Sequence, residues 1–131
     1  MRIQVILGMS GAAVLMASCL TMSPAMAGLS NTSVHRETGS SACSDNLRNR
    51  ARFVHDTDNL KAIDDCADGW GAESELLLQT GTYRLCYNGS GNGTTVTCNY
   101  NFAEGILGEI LARSVDNGDF RGSGDVKPII T

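Results

Sequence analysis

Short strand-like runs separated by turn residues dominate the middle of this sequence. The runs cover residues 50–55, 60–64, 72–79, 82–88, 94–100 and 106–114. They are rich in β-branched, aliphatic and aromatic residues, and Gly, Asn and Asp collect between them at the spacing of all-β domains. Asn117-Gly118 then supplies a strong signal for a two-residue hairpin turn. The pattern predicts a small antiparallel β-sandwich or barrel of about six to seven short strands. A helix over residues 45–54 or 60–66 is the competing interpretation.

The first 27 residues have the order of a secretory signal peptide. Arg2 precedes an apolar run without acidic residues, and small residues follow around Ala25-Met26-Ala27. The run is interrupted and falls short of the roughly 20 apolar residues that a membrane span needs. We therefore predict cleavage after Ala27 and a secreted, extracellular protein without a transmembrane segment. The alternative is a lipoprotein anchored at Cys19, which follows Met16-Ala17-Ser18.

Four cysteines follow the predicted leader: Cys43, Cys66, Cys86 and Cys98. An even count in a short exported chain argues for two disulfides. Three pairings exist, and spacing does not choose among them. We favour Cys43–Cys66 with Cys86–Cys98, because the second pair flanks two runs that look like a hairpin.

That hairpin raises a conflict between neighbouring strands. If Cys86 lies opposite Cys98, the period-two alternation of a strand turns the apolar residues of the two runs in opposite directions. One face would carry Tyr83, Leu85 and Tyr87, and the other Val96 and Tyr100. A bulge, two partly covered faces or another disulfide pairing would each remove the conflict.

The composition predicts one small domain with polar ends. Residues 28–47 are polar and predict a flexible N-terminal arm, residues 48–121 form the β domain, and residues 122–131 form a C-terminal tail in which Ile129 and Ile130 could dock. The sequence has 10 basic and 14 acidic residues and a formal net charge of −4. This sign disfavours binding to nucleic acid or to anionic membranes.

One loop has part of the spacing of a calcium site. Counting from Asp64, an EF-hand would place Asp68 at position 5, Gly69 at position 6 and Glu75 at position 12. Position 3 is Cys66, however, and a hard cation does not favour a sulfur ligand. We interpret the segment as a bend turning at Asp68-Gly69 and predict no cofactor, with Ca²⁺ at Asp64, Asp68 and Glu75 as the alternative.

Two features predict contact surfaces. Arg48, Arg50 and Arg52 share one strand face, where they would bind anionic groups of a wall polymer or a protein partner, or form a solvated face. Trp70 and the Asn88–Gly93 loop, with Asn88 and Asn92, are the other candidates. The aromatic residues Trp70, Tyr83, Tyr87 and Tyr100 could form a sugar-stacking platform, although Trp70 could instead cover a small core.

Catalytic motifs are absent from the sequence. It has no G-x-S-x-G element, its histidines and cysteines lack zinc spacing, and we interpret His55 as a strand-end residue. We therefore predict no catalytic residues and a secreted, non-enzymatic binding or interaction domain. The alternatives are a small hydrolase using Asp64, Asp65 and Asp68, and a secreted inhibitor or toxin-like protein presenting the Asn88–Gly93 loop.

Two glycine-containing motifs carry a resemblance. DDCADG at residues 64–69 and NGSGNG at residues 88–93 have the pattern D-x-x-A-D-G … N-x-x-G-x-G. Over about residues 52–114 the chain resembles a group of small secreted actinobacterial proteins of unknown function. The resemblance implies a bacterial source, secretion and a β fold, and it implies no catalytic residues.

Export with two disulfides is directly testable by mass spectrometry. The exported protein should begin at Gly28 and should be lighter than its reduced form by two hydrogens for each disulfide. A diacylglycerol-modified Cys19, or free thiols in the exported protein, would contradict this prediction.

Overall fold

A computed structural model describes residues 28–36 and 41–131, which form a β-sandwich of two antiparallel sheets. The strands are β1 Asn31–Arg36, β2 Leu47–Val54, β3 Asn59–Asp64, β4 Gly71–Leu78, β5 Tyr83–Asn88, β6 Thr95–Asn99, β7 Leu107–Asp116, β8 Asp119–Ser123 and β9 Lys127–Ile130. The all-β prediction is confirmed, and the two helices considered for β2 and β3 do not form. The predicted signal peptide and Cys19 lie outside the described residues. Apart from two single 3-10 turns, the described part of the chain contains no helix, and hence none that could cross a membrane.

The two sheets enclose one core. The first sheet has the strand order β1-β2-β3-β6, and the second has the order β5-β4-β7-β8, with β9 also paired to β7. Alternate residues of each strand point inward, as the two-residue period of a strand requires. The fully buried apolar side chains at the centre include Phe53, Leu60, Leu76, Ile110 and Ile129.

The β5 and β6 strands lie in opposite sheets, so the expected hairpin between them is wrong. β5 pairs with β4 and β6 pairs with β3, and the Cys86–Cys98 disulfide joins the two sheets across the core. This arrangement removes the conflict in the sequence pattern. The inward side of β5 carries Cys86, while its outward side carries Tyr83, Leu85 and Tyr87. On β6 and just after it, Val96, Cys98 and Tyr100 pack against the core.

The second predicted disulfide is also present. Cys43 and Cys66 are bonded and form an isolated antiparallel bridge just outside β2 and β3. The bond ties the segment before β2 to the start of the β3–β4 loop. Both cysteine side chains are buried, so this staple forms part of the packed end of the sandwich.

The N-terminal segment forms a strand, which corrects the prediction of a flexible arm over residues 28–47. β1 pairs with β2 along its length. Its buried side chains, Ser33 and His35, are polar, so no apolar alternation marked it as a strand. Hydrogen bonds compensate for their burial: Ser33 Oγ accepts from the Ala112 N–H and donates to the Asp125 carbonyl.

The C-terminal segment is also part of the sheet. β9 pairs with the first half of β7, and Ile129 is fully buried. Pro128 fits here because β9 lies at an edge, where a missing N–H donor is tolerated. The predicted tail over residues 122–131 therefore belongs to the domain.

The Asn-Gly turn is confirmed. Asn117 and Gly118 connect β7 to β8 with φ values of 47° and 89°. A type I′ turn requires positive φ at both central residues, and Asn-Gly adopts this conformation at low cost.

The disulfide between the sheets should contribute measurably to stability. We expect Cys86→Ala/Cys98→Ala to lower the free energy of unfolding by about 2–4 kcal/mol, since the bond restricts the unfolded chain. Urea unfolding of the variant and the wild type measures the difference. An unchanged transition midpoint would contradict the expectation.

Candidate functional site

The outer faces of the two sheets differ in chemistry. The four-stranded sheet presents polar and charged side chains, including Arg52, Lys61, Thr95, Thr97 and Asn99. The five-stranded sheet presents large apolar side chains that are 41–56% exposed, namely Leu77, Tyr83, Leu85, Tyr87 and Phe120. We call these five residues, together with Glu73, Glu75 and Arg113 among them, the aromatic face. A contiguous exposed apolar surface of this kind marks interaction sites.

A charged cluster lies within the aromatic face. Arg113 Nη1 donates to Glu75 Oε2 at 2.5 Å, and Arg113 Nε lies 3.7 Å from Glu73 Oε1. The Arg113 guanidinium also stacks over Phe120, 4.9 Å from the ring centroid. Burial raises the pKa of Glu73, against the opposing effect of Arg113. Burial and the nearby Glu75 raise the pKa of Tyr83.

Glu73, Tyr83 and Arg113 of this cluster border a shallow groove of about 560 Å³, together with Leu85 and Tyr87. It runs along the outer side of the sheet from Tyr83 to the β7–β8 turn at Asn117 and Gly118. The groove therefore combines aromatic surface with hydrogen-bonding groups at fixed positions. Such surfaces hold partners by packing and orient them by polar contacts.

A second cavity of about 250 Å³ opens at the loop end of the sandwich, and we call it the loop pocket. Three connections meet there: the β3–β4 loop, the β5–β6 loop and the end of β7. Its lining includes Asp64, Trp70, Tyr87, Asn92 and Asp116. Tyr87 lines both the loop pocket and the groove, so the two form one surface.

Two glycines allow the Tyr87 ring to lie between these cavities. A Cβ atom at Gly71 would lie 2.7 Å from ring atom Cε2 of Tyr87. At Gly89 it would lie 2.9 Å from Cε1 of the same ring. No side chain fits at these distances, so the ring depends on glycine at both positions.

Asp64 is the most unusual residue of the loop pocket. Its side chain is 2% exposed, and Oδ1 accepts a hydrogen bond from the Cys66 N–H at 3.0 Å. Oδ2 is buried and has no hydrogen-bond partner among the described residues. Burial raises the pKa of Asp64; Asp68 and Asp65 add to the increase, and the Cys66 hydrogen bond opposes it. A buried carboxylate oxygen without a donor carries an energetic cost.

The Asn88–Gly93 loop is held by Asn88, which corrects the prediction of Asn88 as a contact residue. Asn88 is fully buried, and its Nδ2 donates to the Ala62 carbonyl and to the Thr94 carbonyl and hydroxyl. Its Oδ1 accepts from the Ser90 N–H. Asn88 therefore fixes the conformation of the loop from a buried position, whereas Asn92 is exposed and lines the loop pocket.

The predicted arginine face does not form, because two of its members are engaged in ion pairs. Arg48 is buried and pairs with Asp68. Arg50 binds Asp65 through two hydrogen bonds of 2.8 Å. Only Arg52 of the three is exposed, so the strand offers one cation rather than a row.

The calcium-loop spacing does not assemble a site. Asp68 pairs with Arg48 and accepts from the Trp70 N–H, which fixes the bend where Gly69 has a φ of 79°. Glu75 lies on the aromatic face against Arg113. Among the described residues, the one group of three with metal-ligand geometry is Cys43, Cys66 and Asp68, and its two sulfurs are bonded to each other.

The structure divides the predicted aromatic platform. Tyr83 and Tyr87 lie on the aromatic face, whereas Tyr100 turns inward and donates to the Leu85 carbonyl. Trp70 is half-buried beside the loop pocket, with the Arg121 guanidinium 5.3 Å from its ring centroid. Trp70 and Tyr87 thus share one site, and Tyr100 does not belong to it.

A serine and a histidine side chain meet in the core. His35 Nδ1 lies 2.9 Å from Ser114 Oγ, and Ser114 Oγ accepts a hydrogen bond from Asn49 Nδ2 at 2.8 Å. All three side chains are buried, and none of them lines the groove or the loop pocket. These contacts connect β1 and β2 of one sheet to β7 of the other, so we assign them a structural role.

The sequence interpretation missed Arg113, Asp116 and Phe120 as site residues. Arg113 alternates with buried residues along β7, so its outward position follows from the strand period once β7 is placed. Its partners could not be predicted, because they lie on β4 and β8.

A scan against protein-family models, a search of curated proteins and a search of solved structures find no match to this chain.

Removing the Asp64 charge should change how stability depends on pH. A carboxyl group whose pKa is raised by folding binds its proton more tightly in the folded state. Stability therefore falls as the pH rises from the ordinary value of 3.8 through the raised value. We expect Asp64→Asn to lose this decline, so that its stability relative to the wild type increases between pH 3.5 and pH 7.

Urea unfolding at the two pH values measures the effect. The asparagine side chain keeps an oxygen for the Cys66 N–H, so the local bend should survive the substitution. A variant whose relative stability falls between pH 3.5 and pH 7 would show that Asp64 is stabilised as a carboxylate.

Proposed function

We propose that this protein is a non-enzymatic binding domain that acts at or outside the cell surface and contacts a protein partner through the aromatic face. One observation carries the proposal. Five large apolar side chains are exposed on one sheet around an Arg113–Glu75 ion pair, while the exposed side chains on the outer face of the other sheet are polar, with Val34, Val54 and Ile63 half-buried among them. This asymmetry supports one sheet as the contact surface.

The composition of the aromatic face favours a protein partner. Tyr, Phe and Arg are enriched at protein interfaces, and Tyr and Arg are frequent among the residues that carry most of the binding energy. The face is also rigid, because it lies on paired strands joined to the second sheet by Cys86–Cys98. A backbone that is already ordered loses little conformational entropy on binding, which favours affinity.

The charges of this surface favour a basic partner. Glu73 and Glu75 face the single cation Arg113, and the adjoining loop pocket adds Asp64 and Asp116. A partner with cationic groups beside apolar side chains would complement both properties. A cell-wall polymer without cationic groups would use the aromatic rings but would bring no cation to Asp64 and Asp116.

An extracellular location is supported by the predicted leader and by the two disulfides, which are typical of oxidising compartments. The hydrolase alternative has less support, because Asp65 and Asp68 are each held by an arginine. An inhibitor of a secreted enzyme would be one form of the proposed binding protein, and the exposed β5–β6 loop would then contribute to the contact.

The test compares two edge strands of opposite sheets. Tyr83→Thr/Leu85→Thr on β5 removes apolar surface from the aromatic face and keeps residues that favour strands. Thr95→Ala/Thr97→Ala on β6 is the matched control on the polar face. Partners are captured from cell-envelope and culture fractions, identified and purified, and their affinities for wild type and variants are measured by titration.

We expect saturable binding that weakens at least about tenfold in the β5 variant and stays unchanged in the β6 variant. Equal weakening in both variants, or the absence of a saturable partner, would contradict the proposal. Turnover of a glycan or ester panel that Asp64→Asn abolishes would favour the hydrolase instead.

A further inference from the structure

We propose that the loop pocket binds a primary ammonium group, with Asp64 Oδ2 as its buried acceptor and the rings of Tyr87 and Trp70 beside it. The inference rests on the proposed function for the source of that group, a lysine side chain of the protein partner. The chemistry of the pocket is tested without the partner.

The first argument is the unpartnered oxygen of Asp64. Oδ1 is already used by the Cys66 N–H, whereas Oδ2 has no donor among the described residues. Asp64 lines the loop pocket with Oδ2 buried beneath the pocket surface, so a donor in the pocket reaches this oxygen once the carboxylate turns toward it. An ammonium group would supply a charge-assisted hydrogen bond and repay part of the cost of burying the carboxylate.

The second argument is the arrangement of the rings. Tyr87 rests on Gly71 and Gly89 with one side of its ring and is 49% exposed. Trp70 lines the same pocket, and Arg121 lies over its ring. Aromatic rings attract cations through their π electrons and pack against the methylene groups of a lysine side chain. Asp68 lies 4.0 Å from Arg121 and also pairs with Arg48, so it offsets the positive charge of Arg121 only in part.

The third argument separates ammonium from other cations. A guanidinium group binds best to two carboxylate oxygens at once, and Asp64 has one oxygen available. Ca²⁺ requires about six to eight oxygen ligands. The carboxylates that line the pocket are Asp64 and Asp116, while Asp68 is held by Arg48. An ammonium group can bind the one available oxygen of Asp64 with a single N–H and keep its other donors on water, which neither alternative can do with this oxygen alone.

The volume is consistent with this ligand. The cavity of about 250 Å³ is too small for a folded segment and large enough for the end of one long side chain with some water. Asp116, which also lines the pocket, adds a second negative charge. The pocket would therefore anchor one lysine while the neighbouring groove holds apolar residues of the same partner.

The test titrates the disulfide-bonded, isotopically labelled protein with Nα-acetyl-lysine amide and follows the backbone amide signals. We expect saturable shifts at Trp70, Gly89, Gly91 and Asn92 with a dissociation constant on the order of millimolar. The norleucine analogue, which has the same chain without the charge, should give no saturable shifts. Asp64→Asn should weaken binding at least about tenfold, and the matched control Asp119→Asn should leave it unchanged.

Several outcomes would overturn the inference. These are the absence of saturable shifts with the wild type, equal binding of norleucine, unchanged binding to Asp64→Asn, and equal losses in Asp64→Asn and Asp119→Asn. Binding of CaCl₂ at the same amides that Asp64→Asn abolishes would replace the ammonium site by a metal site. Binding of glucosamine without the lysine derivative would overturn the assignment to a protein side chain.

The two proposals can fail separately. Loss of partner binding in the β5 variant with no response to the lysine derivative would leave the aromatic face in place and remove the ammonium site. If the pocket binds the lysine derivative but the β5 and β6 variants bind partners equally well, the ammonium site stands and the aromatic face is removed as the contact surface.

Discussion

The disulfide between Cys86 and Cys98 determines which surfaces this sandwich presents. It joins β5 and β6 across the core, so both cysteines must point inward. Because side chains alternate along a strand, the inward position of Cys86 turns Tyr83, Leu85 and Tyr87 outward. The same bond brings the ends of both sheets together where the β5–β6 loop crosses. The outward position of the β5 side chains, which form the larger part of the aromatic face, follows from this one connection.

The sequence predicted most of the strands, because their signals are local. It also predicted both disulfides, although the hairpin that favoured the Cys86–Cys98 pairing does not form. Runs of β-branched and apolar residues marked β2 to β7, and Asn117-Gly118 marked the turn into β8. β1 escaped prediction because its buried side chains, Ser33 and His35, are polar and form hydrogen bonds with distant residues. The assignment of β5 and β6 to different sheets depends on their pairing with β4 and β3. The short loop between β5 and β6 suggested instead that they pair with each other.

The candidate site was predicted in part, for related reasons. Trp70 and Asn92 lie at the loop pocket, as their turn positions suggested, but Asn88 and Arg48 are buried in structural contacts. Strand alternation correctly placed Arg50 on the outward side of β2, but it could not reveal the pairing of Arg50 with Asp65. The ion pairs of Arg48, Arg50 and Arg113 connect residues that are 15 to 38 positions apart. Spacing alone therefore could not separate a free cation from a paired one.

The central claim, that one sheet is the contact surface, is tested most directly by hydrogen exchange on the complex. Backbone amides of the wild-type protein would be compared by mass spectrometry with and without the purified partner. The account predicts slower exchange in peptides covering β5, the β5–β6 loop and the β7–β8 turn, with no change in β1, β2 or β6. Protection confined to the four-stranded sheet would contradict it.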